Sequence, residues 1–207
     1  MRTTKRLNRE ESQARTRELL MRSAASCFAK VGFEGTSVDE IAENAGFSRG
    51  AFYSNFADKH EILLALLQRH LAHDLRDFEA IVAESTSFDT FAEKVAARYR
   101  ELGDNPDWCL LMVEFQLRVS RADKTNDVFA RLYTDYRHTV SRLIARAFTR
   151  FGTKGQLTPA DLTVTLIALS HGLALERAAS KNALPMALTG KAMKALLIGA
   201  ARDSGAP

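Results

Sequence analysis

The feature that most constrains this chain is residues 32–67, where two short helical patterns follow each other across a turn that contains glycine. Ser37 can cap the first helix, because its side chain can accept a hydrogen bond from the backbone of the first turn. Residues 46–48, Gly-Phe-Ser, interrupt the pattern, and a second short helix follows over residues 49–56 with its phenylalanines inward. Two short helices across such a turn form the helix-turn-helix pattern.

Helical periodicity continues on both sides of this stretch. A helix is predicted from Ser12 to Val31, and a long one from Asp58, its cap, to about Glu84. Glu61 follows Asp58 at the spacing of a capping box. Five more helices are predicted, at residues 88–102, 108–121, 124–151, 158–180 and 185–202.

Composition agrees with a helical protein of this size. The chain is 46% hydrophobic and has only four prolines, which is enough for one or two packed domains and argues against a β-rich fold. We therefore predict an all-α protein of about nine helices. Its helix-turn-helix domain would take residues 1–57, and a C-terminal helical bundle for ligand binding and dimerisation would take residues 58–207.

Positive charge is concentrated near the N-terminus of a chain whose net charge is +4 and whose isoelectric point is about 9.2. Basic side chains exceed acidic ones in the first 22 residues, with Arg2, Lys5, Arg6, Arg9, Arg15, Arg17 and Arg22 against Glu10, Glu11 and Glu18. A basic arm beside a helix-turn-helix is expected of a phosphate-binding surface. For the first ten residues, a solvated and disordered tail is the alternative.

Several classes of function find no support in the sequence. Cys27 and Cys109 lie far apart, so neither a disulfide framework nor a zinc cluster is predicted. His70 and His73 are not spaced as metal ligands, we expect no carboxylates to join them, and we predict no metal and no cofactor. No catalytic motif of a hydrolase, metalloprotease or nucleotide-binding enzyme is present, which disfavours an enzyme. Without a membrane-spanning run or a signal peptide, we expect a cytoplasmic protein with no membrane partner.

The segment from Asn44 to Phe56, NAGFSRGAFYSNF, resembles the TetR family of bacterial transcriptional regulators. Thr36 and the Ile41-Ala42 pair before it, and Lys59 after it, extend the resemblance, which covers about residues 12–67. The rest of the chain matches the family only in length and helical character.

Two residues depart from the common family pattern. Asn55 stands where many members carry His, and Ala51 stands where many carry Thr or Ser. Neither difference conflicts with the fold, and both bear on the choice of operator.

The resemblance implies a dimer that binds a palindromic operator on double-stranded DNA, usually represses, and is released when a small molecule enters the C-terminal domain. It implies phosphate contacts from Thr36, Ser37, Ser48, Tyr53, Asn55 and Lys59. It implies contacts in the DNA groove from Arg49, Gly50 and Ala51.

The residues support these roles on their own chemistry. With the phenylalanines of the second helix inward, Gly50, Ala51 and Ser54 lie on its far side, where small side chains let the backbone approach base edges. Arg49 can bind a guanine with two hydrogen bonds, and Tyr53 carries a donor suited to a phosphate oxygen. The alternatives are a solvated surface charge for Arg49 and a core aromatic for Tyr53.

An effector site is predicted among the middle helices from a set of mostly aromatic side chains. The set is Phe78, Trp108, Met112, Phe115, Phe129, Tyr133 and His171. These residues have the character of an apolar pocket with a few polar groups, and equally that of ordinary core. Buried Trp and His each need a hydrogen-bond partner, so Trp108 and His171 are the most informative members.

The helix over residues 158–180 is apolar on more than one side, which requires cover from more than one direction. We therefore predict a homodimer through this helix and the helix over residues 185–202. The sequence thus favours a DNA-binding repressor that an unidentified, small, mostly apolar effector releases. The alternative is a constitutive DNA-binding dimer whose C-terminal domain binds another protein and no small molecule.

Overall fold

A computed structural model describes residues 8–103, 106–121, 128–180, 184–185 and 187–201. These residues form helices and no strand, which confirms the predicted all-α fold. The helices are α1 (Arg9–Gly35), α2 (Val38–Asn44), α3 (Arg49–Tyr53), α4 (Lys59–Glu84), α5 (Phe88–Gly103), α6 (Pro106–Arg121), α7 (Val128–Phe151), α8 (Pro159–Ala179) and α9 (Ala187–Ala201). The chain divides into two compact units, one up to His70 and one from Leu71 onwards.

Helix α1 is longer at both ends than the predicted span of residues 12–31. At its start, the side chain of Asn8 accepts a hydrogen bond from the backbone of Glu11, and the Glu11 side chain accepts one from the backbone of Asn8. Such a capping box supplies partners for N–H groups that have none within the helix. At its end, Gly32 adopts a φ of 75°, a conformation that glycine tolerates, and the helix resumes after the kink.

Helices α2 and α3 begin where the sequence predicts. Ser37 caps α2 and is joined by Glu40 in a second capping box, while Ser48 accepts a hydrogen bond from the backbone of Ala51 at the start of α3. Gly46, with a φ of 76°, makes the turn between them. Helix α3 ends at Tyr53, earlier than the predicted residue 56.

The boundary between the two compact units falls inside α4, C-terminal to the predicted boundary at residue 58. The first turns of α4 are tied to α1 by two long side chains. Lys59 donates to the backbone carbonyl of Phe33 at 2.6 Å, and Arg69 binds the carboxylate of Glu18 at 2.6 Å. As predicted, Asp58 caps the helix by accepting a hydrogen bond from the backbone of Glu61 at 2.8 Å.

The second unit is built mainly by α5 against α9 and by α7 and α6 against α8. Its core consists of apolar side chains from α4, α5, α7, α8 and α9 that are almost fully enclosed, including Phe91, Val95, Leu143, Ile144, Leu162, Leu166, Met193 and Leu197. Thr158 caps α8, with Pro159 in the first turn as predicted. The predicted start of α7 at residue 124 lies outside the described residues. None of the described helices combines the length and apolar character that a transmembrane span needs.

Helices α5 and α9 are in close contact at Gly190. A Cβ atom at this position would lie 2.6 Å from the carbonyl oxygen of Ala96 and 2.7 Å from Cγ of Arg100. Gly199 belongs to the same helix, and a Cβ there would meet nothing within 4 Å. The two glycines therefore make a matched pair for testing the packing of α9.

We expect Gly190→Ala to lower the free energy of unfolding by about 1–3 kcal/mol, because the added methyl group overpacks the contact between α5 and α9. Gly199→Ala should leave it unchanged or raise it by up to about 1 kcal/mol through helix propensity. Chemical denaturation monitored by circular dichroism measures both. Equal effects of the two substitutions would contradict the close packing at Gly190.

Candidate nucleic-acid interface

Helix α3 turns one side to the interior and the other to solvent. Phe52 is fully buried, whereas Arg49, Gly50 and Tyr53 are exposed. A Cβ atom on Gly50 would meet only the hydroxyl oxygen of Ser48, at 3.7 Å, so the protein's own packing does not require a glycine there. The small residue leaves the backbone open to an approaching molecule, as the sequence predicts for a groove-binding helix.

Arg49 is a long, charged side chain on this exposed side. Its Nη1 atom lies 3.0 Å from Oδ2 of Asp39 in α2, and its Nη2 atom donates to the hydroxyl of Tyr53 at 3.5 Å. The hydrogen bond with Tyr53 and the negative charge of Asp39 raise the pKa of Arg49 above its ordinary value. The guanidinium is thus held between two helices, with 62% of the side chain still exposed.

The two serine caps are exposed beside α3. Ser37 donates its hydroxyl to Glu40 at 3.1 Å, and hydrogen bonds from the Ser37 backbone and hydroxyl lower the pKa of Glu40. Ser48 accepts from the Ala51 backbone at 3.2 Å, and a hydroxyl in that role still has a proton to donate. Both caps order the backbone that presents α3.

Thr36 and Lys59 have internal partners in the structure. Thr36 is only 2% exposed, and its hydroxyl donates to the carbonyl of Gly32 at 2.8 Å. The Lys59 ammonium donates to the carbonyls of Phe33 and Thr36, at 2.6 and 2.8 Å, and lies 4.4 Å from the centre of the Phe33 ring. An ammonium has three N–H donors, and the two carbonyls engage two of them. Both residues fasten the end of α1 to α4.

The other end of α3 is fastened by Arg17, which sequence reasoning placed in the basic arm. Its guanidinium stacks over the ring of Phe56 at 3.9 Å and donates to the carbonyl of Asn55 at 2.5 Å. The Asn55 side chain donates back to the carbonyl of Ala51 at 2.8 Å. No short-range pattern links residue 17 to residues 55 and 56, so this contact could not be read from the sequence.

A polar cleft of about 450 Å³ lies where the start of α1 meets the end of α3. Its lining residues are Asn8, Arg9, Ser12, Gln13, Thr16, Ser54 and Asn55. Arg9 thus brings one member of the predicted basic arm beside α3. Arg22 instead binds Glu18 at 2.9 Å, and residues 2–6 lie outside the described residues.

The seven predicted effector residues all lie in the second unit. Phe78, Met112, Phe115 and Phe129 are buried side chains. Trp108 and His171 are half-buried, and burial lowers the pKa of His171. Some aromatic rings of the set are in mutual contact: the centre of the Phe115 ring lies 5.6 Å from that of Phe129, in a tilted arrangement, and 6.1 Å from that of Tyr133, edge to face.

Tyr133 lines an open cleft of about 650 Å³ between α6, α7 and α8. The other lining residues are Gln116, Val119, Ser120, Ala130, Arg131, Thr134, Asp135, Arg137, Val164, Ile167 and Ala168. The side-chain amide of Gln116 donates to the Tyr133 hydroxyl, and the Arg137 guanidinium lies 5.9 Å from the centre of the Tyr133 ring. The lining of this cleft combines apolar side chains with two arginines and an aspartate.

One group in the described part of the chain has the proximity of metal ligands, namely His73, Asp74 and Asp77. The expectation that no carboxylates join the histidines was therefore wrong, because one turn of α4 brings both aspartates beside His73. Arg98 binds both carboxylates, Asp74 at 2.5 Å and Asp77 at 2.9 Å, and His73 lies 3.0 Å from Asp77. The group is an ion-pair network between α4 and α5.

Comparison with known proteins covers both units. Residues 20–66 match the family model of bacterial regulatory proteins of the tetR family, and residues 95–198, half of the chain, match that of the C-terminal part of BetI-type transcriptional repressors. The HTH-type transcriptional repressor AcnR of Corynebacterium glutamicum is 28% identical over 142 residues, which is 69% of each chain.

Two solved structures share the fold. FadR of Bacillus subtilis in complex with stearoyl-CoA gives a TM-score of 0.69 at 15% identity, covering 88% of this chain and 98% of that one. The triclosan complex of SmeT, a repressor from Stenotrophomonas maltophilia, gives a TM-score of 0.68 at 20% identity, covering 92% of this chain and 93% of that one.

The resemblance seen in residues 44–56 is confirmed and now extends through the second unit, since the two family models together span both. These families and relatives are transcription regulators rather than enzymes. The chain belongs to the TetR family and is a DNA-binding transcriptional regulator.

Proposed function

We propose that the protein is a repressor that binds a palindromic operator as a homodimer, through α3, and is released by a small, mostly apolar ligand. The observation that carries the DNA-binding part is the exposed side of α3. There, Arg49 and Tyr53 flank a glycine that the interior does not require. This side is bordered by two capped helix starts, whose N–H groups and dipoles favour an anionic backbone.

In this proposal, Arg49, Gly50 and Ala51 enter the major groove. Ser37, Ser48, Tyr53 and Asn55 contact phosphates and set the register. We reassign Thr36 and Lys59 from phosphate contacts to support, because their polar atoms are engaged within the protein. Arg9, at the polar cleft beside Asn55, takes a place among the phosphate contacts.

Dimerisation is assigned to α8 and α9. Helix α8 buries Leu162 and Leu166 in its own unit and still exposes Leu175, of which 45% is exposed. Exposed apolar side chains on a helix that already packs on one side favour cover by a second subunit. Two copies related by a two-fold axis would present their α3 helices to the two half-sites of a palindrome.

The effector is assigned to the cleft between α6, α7 and α8. Its volume of about 650 Å³ lies within the usual range for small-molecule sites, and Val119, Val164 and Ile167 provide an apolar wall. Arg137, which lies against the ring of Tyr133 in this lining, favours a ligand with an anionic end. FadR, solved with stearoyl-CoA, and SmeT, solved with triclosan, are relatives in fold, and each of these ligands has a large apolar part.

Release would run through α4, which contributes to both compact units. A ligand that shifts the second unit's end of α4 would change the separation of the two α3 helices in the dimer. Dimer binding needs that separation to match one turn of DNA, about 34–36 Å. A 100-fold loss of affinity requires under about 3 kcal/mol of coupling.

We expect Arg49→Ala to weaken operator binding about 5- to 160-fold, since a two-hydrogen-bond contact with a base contributes about 1–3 kcal/mol. Tyr53→Phe should weaken binding to all duplexes alike, because it removes a phosphate donor. Fluorescence anisotropy with duplexes selected from a random library measures both. Arg22→Ala is the control, since it removes an equal charge from α1 and should have little effect. Wild-type affinity in both variants would exclude α3 as the DNA-binding helix.

Lys59→Met separates a supporting role from a phosphate contact. Loss of two hydrogen bonds to a charged donor should lower the free energy of unfolding by about 1.5–3 kcal/mol. The slope of the logarithm of the DNA-binding constant against the logarithm of the salt concentration should stay the same. A direct phosphate contact predicts the reverse, namely unchanged stability and a slope whose magnitude is smaller by about 0.9. Denaturation and a salt titration of operator binding decide between the two.

A thermal-shift screen tests whether the protein binds a small-molecule effector. It thereby distinguishes this proposal from the alternative, in which the C-terminal domain binds only another protein. A ligand at 100 times its dissociation constant should stabilise the protein by about 2.7 kcal/mol. Medium-chain carboxylates should shift the wild type more than the matched alcohols, and Arg137→Gln should remove that difference. If neither these compounds nor neutral and cationic libraries give a shift, the protein-binding alternative is favoured.

A further inference from the structure

Asp39 contacts Arg49 on the side that the protein presents to DNA. Its carboxylate lies 3.0 Å from Nη1 of Arg49, and 53% of the Asp39 side chain is exposed beside the exposed arginine. The capping box of α2 is completed by Ser37 and Glu40, so Asp39 is not needed to close it. An acidic residue in the first turn of α2 suits the helix dipole, but this leaves the contact of Asp39 with Arg49 unexplained.

An acidic side chain on a DNA-binding surface is unfavourable for binding in general. It repels phosphates and cancels much of the attraction of its neighbouring arginine for them. An arginine needed only for phosphate contact would bind better without Asp39. An arginine that reads a base is different, because the base offers neutral acceptors and selects by the direction of the hydrogen bonds.

Together, Arg49 and Asp39 present the N–H donors of a guanidinium next to the acceptor oxygen of a carboxylate. In the major groove, a G·C pair presents the complementary order, with the acceptors N7 and O6 on guanine and the donor N4 on cytosine. The O6 and N4 atoms are joined by an N–H···O hydrogen bond, whose usual length is about 2.9 Å. That spacing matches the 3.0 Å between Nη1 of Arg49 and Oδ2 of Asp39.

We infer that Asp39 is a specificity-determining residue, and that Arg49 and Asp39 together read one G·C pair in each half-site. Arg49 binds the guanine edge and Asp39 accepts a hydrogen bond from N4 of the cytosine. Tyr53 supports the arrangement from the other side, with its hydroxyl 3.5 Å from Nη2. The inference rests on the proposed function, since it assumes that α3 binds the major groove.

An A·T pair at the same position would place the amino group of adenine against the arginine donors and O4 of thymine against the carboxylate. Both juxtapositions are repulsive, so the wild type should reject A·T there by about 5- to 160-fold, the range for a two-hydrogen-bond contact. Asp39→Asn keeps the shape of the side chain and adds an amide donor that O4 of thymine can accept. The variant should therefore reject A·T less.

The experiment begins with duplexes selected by the wild-type protein from a random library. Affinities are then measured for the selected duplex, for each single-pair substitution in one half-site, and for a scrambled duplex. The variants are Asp39→Asn, Arg49→Ala, the double variant, and Glu43→Gln as a control. Glu43 is an exposed acidic residue of the same helix α2, so its substitution makes the same change in net charge.

We expect Asp39→Asn to reduce discrimination against A·T by at least about five-fold at one G·C pair and to leave the other pairs unchanged. Glu43→Gln should strengthen binding to all duplexes by a similar, small factor. The double variant should discriminate at that pair no worse than Arg49→Ala, because the contact with Arg49 is what orients the Asp39 carboxylate toward the pair.

Two results would overturn the inference. One is an effect of Asp39→Asn that is uniform across all duplexes and equal to that of Glu43→Gln, since Asp39 would then act only through its charge. The other is unchanged discrimination at every pair. If the wild type selects no recurring sequence from the library, the proposed operator binding fails as well. If the wild type selects a sequence but Asp39→Asn does not change its specificity, only the inference about Asp39 fails.

Discussion

The burial of Phe52 and Phe56 inside the first unit is the interaction on which the shape of α3 depends. Helix α3 has five residues, far fewer than an isolated helix needs to be stable in water. Its shape therefore comes from its surroundings. The two rings fix the inner side, Ser48 caps the start, and Arg17 stacks on Phe56 at the other end.

The same dependence explains the roles of residues outside α3. Lys59 ties the start of α4 to the last carbonyls of α1, and Thr36 binds the kink of α1 at Gly32. These contacts hold the three helices as one body, so that Arg49 is presented at a defined position. A DNA-binding regulator must discriminate among many similar DNA sites, and such discrimination requires contact atoms that do not move freely.

Features encoded by neighbouring residues could be predicted from the sequence, and features that join distant residues could not. The caps at Ser37, Ser48 and Asp58 are local, because each side chain binds a backbone group three residues away, and all three are present. Thr36 and Lys59 have chemistry suited to phosphate, but their internal partners are set by the meeting of α1 and α4. In the second unit, helical spacing identifies apolar residues without telling cleft from core, so only Tyr133 of the predicted effector set lines the described cleft.

The open space at Gly50 has a consequence for how this regulator can diverge. A Cβ atom there would meet only the hydroxyl of Ser48, at 3.7 Å, so folding exerts little selection against alanine at that position. Under the proposed function, selection would come from the DNA instead. After gene duplication, a copy could then acquire a new set of target genes by changes at residue 50 while its core stays intact. A residue that the fold does not need would then be one at which a regulatory network can be rewired.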